Sequence, residues 1–351
     1  MGSLRDLLNR SPVKVSAPCR VDAGGTWDIK ALALPLERET PATVNMALTL
    51  RTTVTLRPHE DRRVKISSRG FSHTETAVSD RLPFDSPFGL FFAAVSYFGF
   101  HGLEMEIDSQ SPVKSALGGS STALVALLGA LREVDTLRNG RALRREEILH
   151  LAYHLEDAIG GGNCGIQDQA AAVYGGVHLW KWHFGQADKP FTGISLLDQK
   201  GRETLSNRIL VAYSGKSHVA AQTNRKWVGD FLSGKTRSGW IKANESVHSF
   251  ARAIEVGDWE EAAFYLREEM AVRKEITPEA LDPVTEKMVT LAEKAGCGGR
   301  FAGAGAGGSV WALGKKANIH TLKRNWQELL APVEEAQILD AGIDSEGLRL
   351  E

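Results

Sequence analysis

An α+β chain of two consecutive units is what the sequence predicts, and three observations carry that expectation. Residues 42–57 alternate and are rich in Thr and Val, which reads as strand, whereas helical spacing appears in blocks further on. Strands come first with helices after them, and a second strand–helix–strand set follows from residue 208. Between the two sets lies a charged, weakly patterned piece, 186–207, and 351 residues are many for one core. The units are therefore set at 1–195 and 196–351.

In order, Arg20 follows Pro18 at an apparent strand end, and 63–67 reads as a partner for the 42–57 strand. The apolar window 88–100 reads as a buried helix. It contains Ser96 and Gly99 and is too short to span a bilayer. A strand at 103–107 leads to a Ser-capped helix at 120–133. Ile148, Leu149, Ala152 and Leu155 have helical spacing within 145–158. After a glycine run, 167–174 is a short helix and 177–182 a strand. The second unit opens with a strand at 208–213 and helices at 239–256, 258–274 and 283–295. Asp258 is a candidate N-cap, and Pro278 and Pro283 punctuate the gap before the third helix. Gly296, Gly298 and Gly299 are read as ending that helix. The loop Gly303–Gly308 feeds a strand at 309–313, and a last helix precedes a strand at 335–339.

Composition narrows the function classes. An apolar fraction of 42% and a charged fraction of 24% are those of an ordinary globular protein. A formal net charge of -1 leaves no electrostatic footprint for nucleic acid or an anionic membrane. Arg141, Arg144 and Arg145 read as a solvated helix face. The three cysteines, Cys19, Cys164 and Cys297, have no close pair and no metal-type spacing, which favours reduced thiols and a cytoplasmic location. No signal-peptide core precedes them.

Three glycine-bearing segments carry the chemistry: 18–28, 115–121 and 303–308. The middle one, Ser115-Ala116-Leu117-Gly118-Gly119-Ser120-Ser121, runs straight into an apolar helix. Free N–H groups and the positive end of the helix dipole then meet at one spot, which suits a phosphate, and the serine hydroxyls can cap the helix or ligate magnesium. Gly303–Gly308 satisfies G-x-G-x-x-G, but a helix is expected before it and a strand after it, the reverse of a dinucleotide-binding unit. Glu156 closes one helix and Asp168 opens the next, so one carboxylate could hold Mg²⁺ while the other accepts a hydroxyl proton. Asp157 competes with Glu156, and Gln167 and Gln169 are placed to fix Asp168. Arg20 suits a substrate oxygen or a phosphate, and Asp28 suits neighbouring sugar hydroxyls. An Arg20–Asp28 or Arg20–Asp22 ion pair is the competing reading.

With Ala17-Pro18-Cys19-Arg20-Val21, Ala116–Ser121, Cys164-Gly165-Ile166-Gln167-Asp168-Gln169 and Gly303–Gly308 in this order, the chain resembles the GHMP kinases. Within that superfamily, Arg20–Asp28 and the 167–176 run are most similar to fucokinases and glycero-manno-heptose-7-phosphate 1-kinases. The resemblance implies an N-terminal domain like ribosomal protein S5 domain 2 and a ferredoxin-like C-terminal domain. It implies an ATP- and Mg²⁺-dependent sugar kinase acting on a hydroxyl, first of all the anomeric one. Asp168 would be the base and Arg20 its cationic neighbour. Ser120 and Glu156 would hold the metal, with Ser121 taking Ser120's place if the register is shifted by one. Leu117, Gly118, Gly119, Ser120, Ser121, Gly303, Gly305 and Gly307 would surround the ATP phosphates. Asp28, Gly25, Trp27 and Gly165 would face the sugar. The sequence departs from the family at Ala116 and Gly119 and in the order of Thr26 and Trp27, so the sugar itself stays open. A mevalonate-type kinase and a non-catalytic sugar sensor on the same fold are the alternatives. Lys216, His218, Arg273 and Lys274 are candidates for a phosphate already on the substrate. The expected partners are ATP and a small sugar, without nucleic acid or membrane, and a homodimer is among the assemblies the sequence allows.

Overall fold

The computed structural model describes residues 4–69, 74–140, 142–217 and 220–351. Arg141 and His218, singled out above, lie outside them. The strands are β1 (Val13–Ala23), β2 (Ala42–Pro58), β3 (Arg63–Ser68), β4 (Glu75–Val78), β5 (Leu103–Ser109), β6 (Val177–Trp182), β7 (Phe191–Ser195), β8 (Ile209–Tyr213), β9 (Gly298–Phe301), β10 (Ser309–Leu313), β11 (Gln337–Leu339) and β12 (Arg349–Leu350). Two sheets hold them.

The first sheet runs β12-β1-β2-β5-β3-β4, with β6 also pairing β2 and β7 pairing β6. β2 is long enough to serve two partners. Ala42–Met46 pairs with β6, and Thr52–Pro58 pairs with β5. Only β3 and β5 run parallel among the described strands. The second sheet, β11-β8-β10-β9, is antiparallel throughout. The chain passes from one sheet to the other between Ser195 and Ile209, where 186–207 had read as unpatterned. That stretch holds β7 and a helix, Gln199–Ser206, whose N-cap Asp198 accepts the Gly201 N–H at 2.8 Å. The division is not simple, because β12 returns to the first sheet beside β1. Buried Arg51 anchors that return by bonding Ser16 and the Gly347 carbonyl and pairing with Asp344.

The helix Gly119–Asn139 packs on β1 and β2 and is the spine of the first unit. Residues 121–131 are buried without a break, so it is apolar on every side, as expected of a fully enclosed helix. Its N-cap is Gly118 at φ 78°, and no side chain caps it, which corrects the expectation of serine capping. The capping predicted at Asp258 is present, its side chain accepting the Glu261 N–H at 3.0 Å.

A second correction concerns Gly298 and Gly299, which lie in strand β9 rather than in a helix-ending turn. A Cβ on Gly298 would stand 2.6 Å from the Ala263 carbonyl, and one on Gly299 would stand 2.7 Å from Ala292 Cβ. Two helices press on this strand, and only glycine lets them come so close. A strand therefore does precede Gly303–Gly308, but another strand follows it, so the dinucleotide reading still fails.

Candidate active site

The pairing of β1 with β2 shifts register between Pro18 and Arg20. That bulge lets the Arg20 N–H leave the ladder and bond the Leu117 carbonyl at 3.1 Å, tying the first glycine segment to the second. The Arg20 side chain follows. Its Nε donates to Asp168 Oδ1 at 2.7 Å and its Nη1 to the Ala116 carbonyl at 2.8 Å, while Asp22 lies 3.6 Å away. Burial works against its charge, but Asp168 and Asp22 outweigh burial and raise the guanidinium pKa. The predicted Arg20–Asp22 pair thus exists alongside the contact to Asp168.

These groups face a cavity of about 400 Å³ lined by Arg20, Thr26, Asp28, Ala116, Gly118, Gly119, Ser120, Ser121, Glu156, Cys164, Gly165, Gln167, Asp168, Gly303 and Ala304. The apolar side chains of Ile29, Phe91, Ile107 and Val113 line it as well, together with Arg69 and Lys114. All three glycine segments contribute, together with both ends of the 156–168 segment.

Asp168 opens the helix Gln167–Tyr174, and Gly118 is packed so closely on it that a Cβ there would lie 3.2 Å from Asp168 Oδ2. The flanking glutamines do not orient it, contrary to expectation. Gln169 Nε2 donates to Glu156 Oε2 at 2.6 Å, and the Gln167 backbone N–H donates to Asp28 Oδ2 at 3.0 Å. Asp28 also accepts the Thr26 N–H at 3.0 Å, and burial pushes its pKa up to about 6. Gly165 must be glycine, because a Cβ would run into the Asp28 carboxylate.

Glu156 and Asp157 are separated clearly. Glu156 lines the cavity beside Ser121, and burial raises its pKa to about 7, with the negative charge of Asp168 adding to the effect. The Asp157 Oδ1 instead accepts the Cys164 N–H at 3.1 Å and closes the glycine turn. Ser121 is buried beside Glu156, whereas Ser120 is exposed at the mouth. The donors facing this point, a hydroxyl and a carboxylate, are hard oxygens of the type magnesium takes. Among the described residues no group of three or more His, Cys, Asp or Glu could cage a metal.

Several expected residues do not line the cavity. Trp27 is fully buried and packs edge-on against Phe231 and Trp240. Gly25 is pressed between Asp22 and Gln167, Leu117 lies beneath the loop, Gly305 packs on Ala280, and Gly307 packs on the carbonyls of Lys216 and Ser217. Arg273 is not a surface cation. It is enclosed by Trp227, Trp240 and Phe301 and donates to the Gly25 carbonyl at 3.1 Å. Lys274 pairs with Glu293, and Lys216 with Asp282. Thr26 was missed. It holds φ 89°, costly for a β-branched residue, and the exchanged order of Thr26 and Trp27 was the only hint in the sequence.

Residues 89–176 match the family described as GHMP kinases N terminal domain. The chain is 26% identical over 322 residues to a bifunctional fucokinase/GDP-fucose pyrophosphorylase of Arabidopsis thaliana, covering 87% of this chain but only 30% of that protein. It is 27% identical over 296 residues to a mevalonate kinase of Pyrococcus horikoshii, covering 78% and 83% of the two chains. The structure of Lactococcus lactis galactokinase with galactose aligns over 99% of both chains with a TM-score of 0.74 at 19% identity. That likeness shows a shared two-domain fold.

Proposed function

We propose that this chain, which belongs to the GHMP kinase superfamily of ATP-dependent kinases, phosphorylates a sugar hydroxyl, with the anomeric hydroxyl of a fucose-like or heptose-like sugar as its acceptor. The observation that carries the reading is the Arg20–Asp168 pair, 2.7 Å apart, standing where the 115–121 and 303–308 loops meet. Phosphoryl transfer asks a protein for positioning and charge stabilisation more than for covalent chemistry.

Asp168 has one oxygen fixed by Arg20 and keeps the other toward the cavity, so it can take the proton of an acceptor hydroxyl. Arg20 keeps that carboxylate aimed and places positive charge beside the attacking oxygen. The helix start at Gly118–Ser121 turns its N–H groups toward the phosphate end of the cavity. Ser121 and Glu156, with Ser120 at the mouth, are the groups that would hold magnesium, which supplies charge neutralisation between phosphates when bound. Asp28 accepts sugar hydroxyls with the lone pairs its two backbone donors leave free.

A mevalonate-type acceptor is the second reading, favoured by the likeness to mevalonate kinases. The acceptor end of the cavity argues against it. Asp28 and Asp168 both stand there, and Arg20 is already paired, so a carboxylate next to them would meet two negative charges; Lys114 and Arg69, which also line the cavity, are the cations it would have to reach instead. The test is ADP release from Mg-ATP across L-fucose, galactose, glycero-manno-heptose 7-phosphate, N-acetylhexosamines and mevalonate. Turnover with a sugar and not mevalonate is expected. Turnover with mevalonate alone overturns the sugar reading, and ATP binding without turnover on any acceptor favours a sensor.

A further inference from the structure

Six charges of alternating sign run from the cavity into the interior: Asp168, Arg20, Asp22, Arg300, Glu269 and Arg273. Beyond the Arg20 contacts given above, Arg300 Nη1 donates to Asp22 Oδ2 at 2.9 Å and Arg300 Nε to Glu269 Oε2 at 2.8 Å. Arg273 Nη1 lies 3.6 Å from Glu269 Oε1. From Asp22 onward every side chain is at most 1% exposed. Charges so deep are tolerated only when each is paired.

Asp22 differs from the other interior members in what it touches. Its Oδ1 accepts the Gly303 N–H at 2.8 Å, so one carboxylate holds a cavity-lining amide from the second unit and the arginine that grips Asp168. Among the described residues the Glu269 carboxylate bonds or pairs with Arg300 and Arg273, neither of which lines the cavity. All of Asp22's side-chain partners are donors. An asparagine there offers one acceptor oxygen and turns an NH₂ group toward either Arg300 or the Gly303 amide. One partner must be released.

We propose that Asp22 is a positioning residue for phosphoryl transfer, holding Arg20 and the Gly303 loop in one register so that Asp168 and the phosphate end of the site face each other correctly. The proposal rests on the kinase reading above. It predicts that the two interior carboxylates behave differently although both are buried and paired.

The experiment compares Asp22→Asn with Glu269→Gln in the full chain, reading kcat, KM for ATP, thermal midpoint and amide hydrogen exchange across 303–308. In Asp22→Asn, kcat should fall at least about tenfold, as for a lost positioning contact. KM for ATP should stay within about twofold, because uniform binding is not what the contact supplies, and exchange across 303–308 should rise. Glu269→Gln should lose as much thermal stability yet keep kcat and loop exchange. Equal losses of kcat in both variants, or normal kcat and loop exchange in Asp22→Asn, overturn the proposal. If Asp22→Asn does not fold, Asp22→Glu keeps the charge balance and displaces Arg20 and the loop, and unchanged kcat and exchange in that variant overturn it equally. Should the unsubstituted protein turn over no acceptor, the kinase reading fails while the exchange comparison, made without substrate, still decides whether Asp22 holds the 303–308 loop in place.

Discussion

Asp168 and Glu269 are both carboxylates bound to buried arginines, yet one pair opens on a cavity and the other is closed. Asp168 keeps 23% of its side chain exposed, and Arg20 commits only Nε to it. Glu269 is 1% exposed, and Arg300 takes both of its oxygens, at 2.8 and 3.2 Å. A carboxylate with a free, solvent-reaching oxygen can accept a proton from a ligand. One whose oxygens are both bridged can only hold elements together. The same residue types therefore separate into chemistry and architecture according to what is left unpaired.

The largest expected effect tests the closed side. Arg300→Leu leaves Asp22 and Glu269 buried without their shared partner, which should cost about 3–5 kcal/mol of stability by urea denaturation. A stable variant that loses only activity would show that the cluster is not closed. On the open side, Asp168→Asn should cut kcat by about a hundredfold or more while ATP binding and the folded state survive. Full turnover in that variant would remove Asp168 from the reaction and erase the contrast.

Glu156 and Asp157 sharpen the comparison within a single turn of chain. Glu156→Gln should raise the Mg²⁺ concentration needed for half-maximal rate by about tenfold or more. Asp157→Asn should leave that requirement unchanged and weaken the turn by roughly 1 kcal/mol, because it loses a charge-assisted bond to the Cys164 N–H. A magnesium titration of both variants reads the difference, and equal shifts would mean that the turn, not the ligand, sets the metal requirement.

Much of this was legible in the sequence, and the failures share a cause. Helix positions followed from spacing, as at 145–158 where the helix is Arg145–Ile159, and from glycine punctuation, as at 167–174, where the predicted and observed bounds coincide. The meeting of Arg20, Asp168, Glu156 and the 115–121 loop followed from motifs, whose order and residue types survive without knowledge of the fold. Glycine was the weak point. Gly118 was expected to serve a loop and is also the N-cap, while Gly298 and Gly299 punctuated nothing and lie in a strand crowded by helices. Close approach and positive φ leave the same letter in a sequence. Trp27 misled for a similar reason. Its position beside Asp28 drew it to the substrate side, but alternate residues of a turn can face opposite ways, and the indole fills the core while Asp28 faces the cavity. Asp22 showed no signal as a hub, because its partners Arg300 and Gly303 lie far along the chain.

The smallest effect tests whether the 115–121 loop carries strain. Ala116 holds φ 63°, and its Cβ sits where a Cβ on Gly308 would come within 2.7 Å of it. A left-handed alanine costs about 1–2 kcal/mol relative to an unstrained conformation, and a glycine gives back roughly 0.5–1 kcal/mol through the freer unfolded chain. Ala116→Gly should therefore stabilise the protein by no more than about 1.5 kcal/mol, with kcat little changed. The matching change, Gly118→Ala, should do the opposite. Gly118 holds φ 78°, and an added methyl would press on Asp168 at 3.2 Å, so stability and kcat should fall together. If Ala116→Gly destabilises instead, the methyl's packing against the Gly308 loop outweighs its backbone strain. The alanine would then be a contact between the two glycine segments rather than a tolerated departure from glycine.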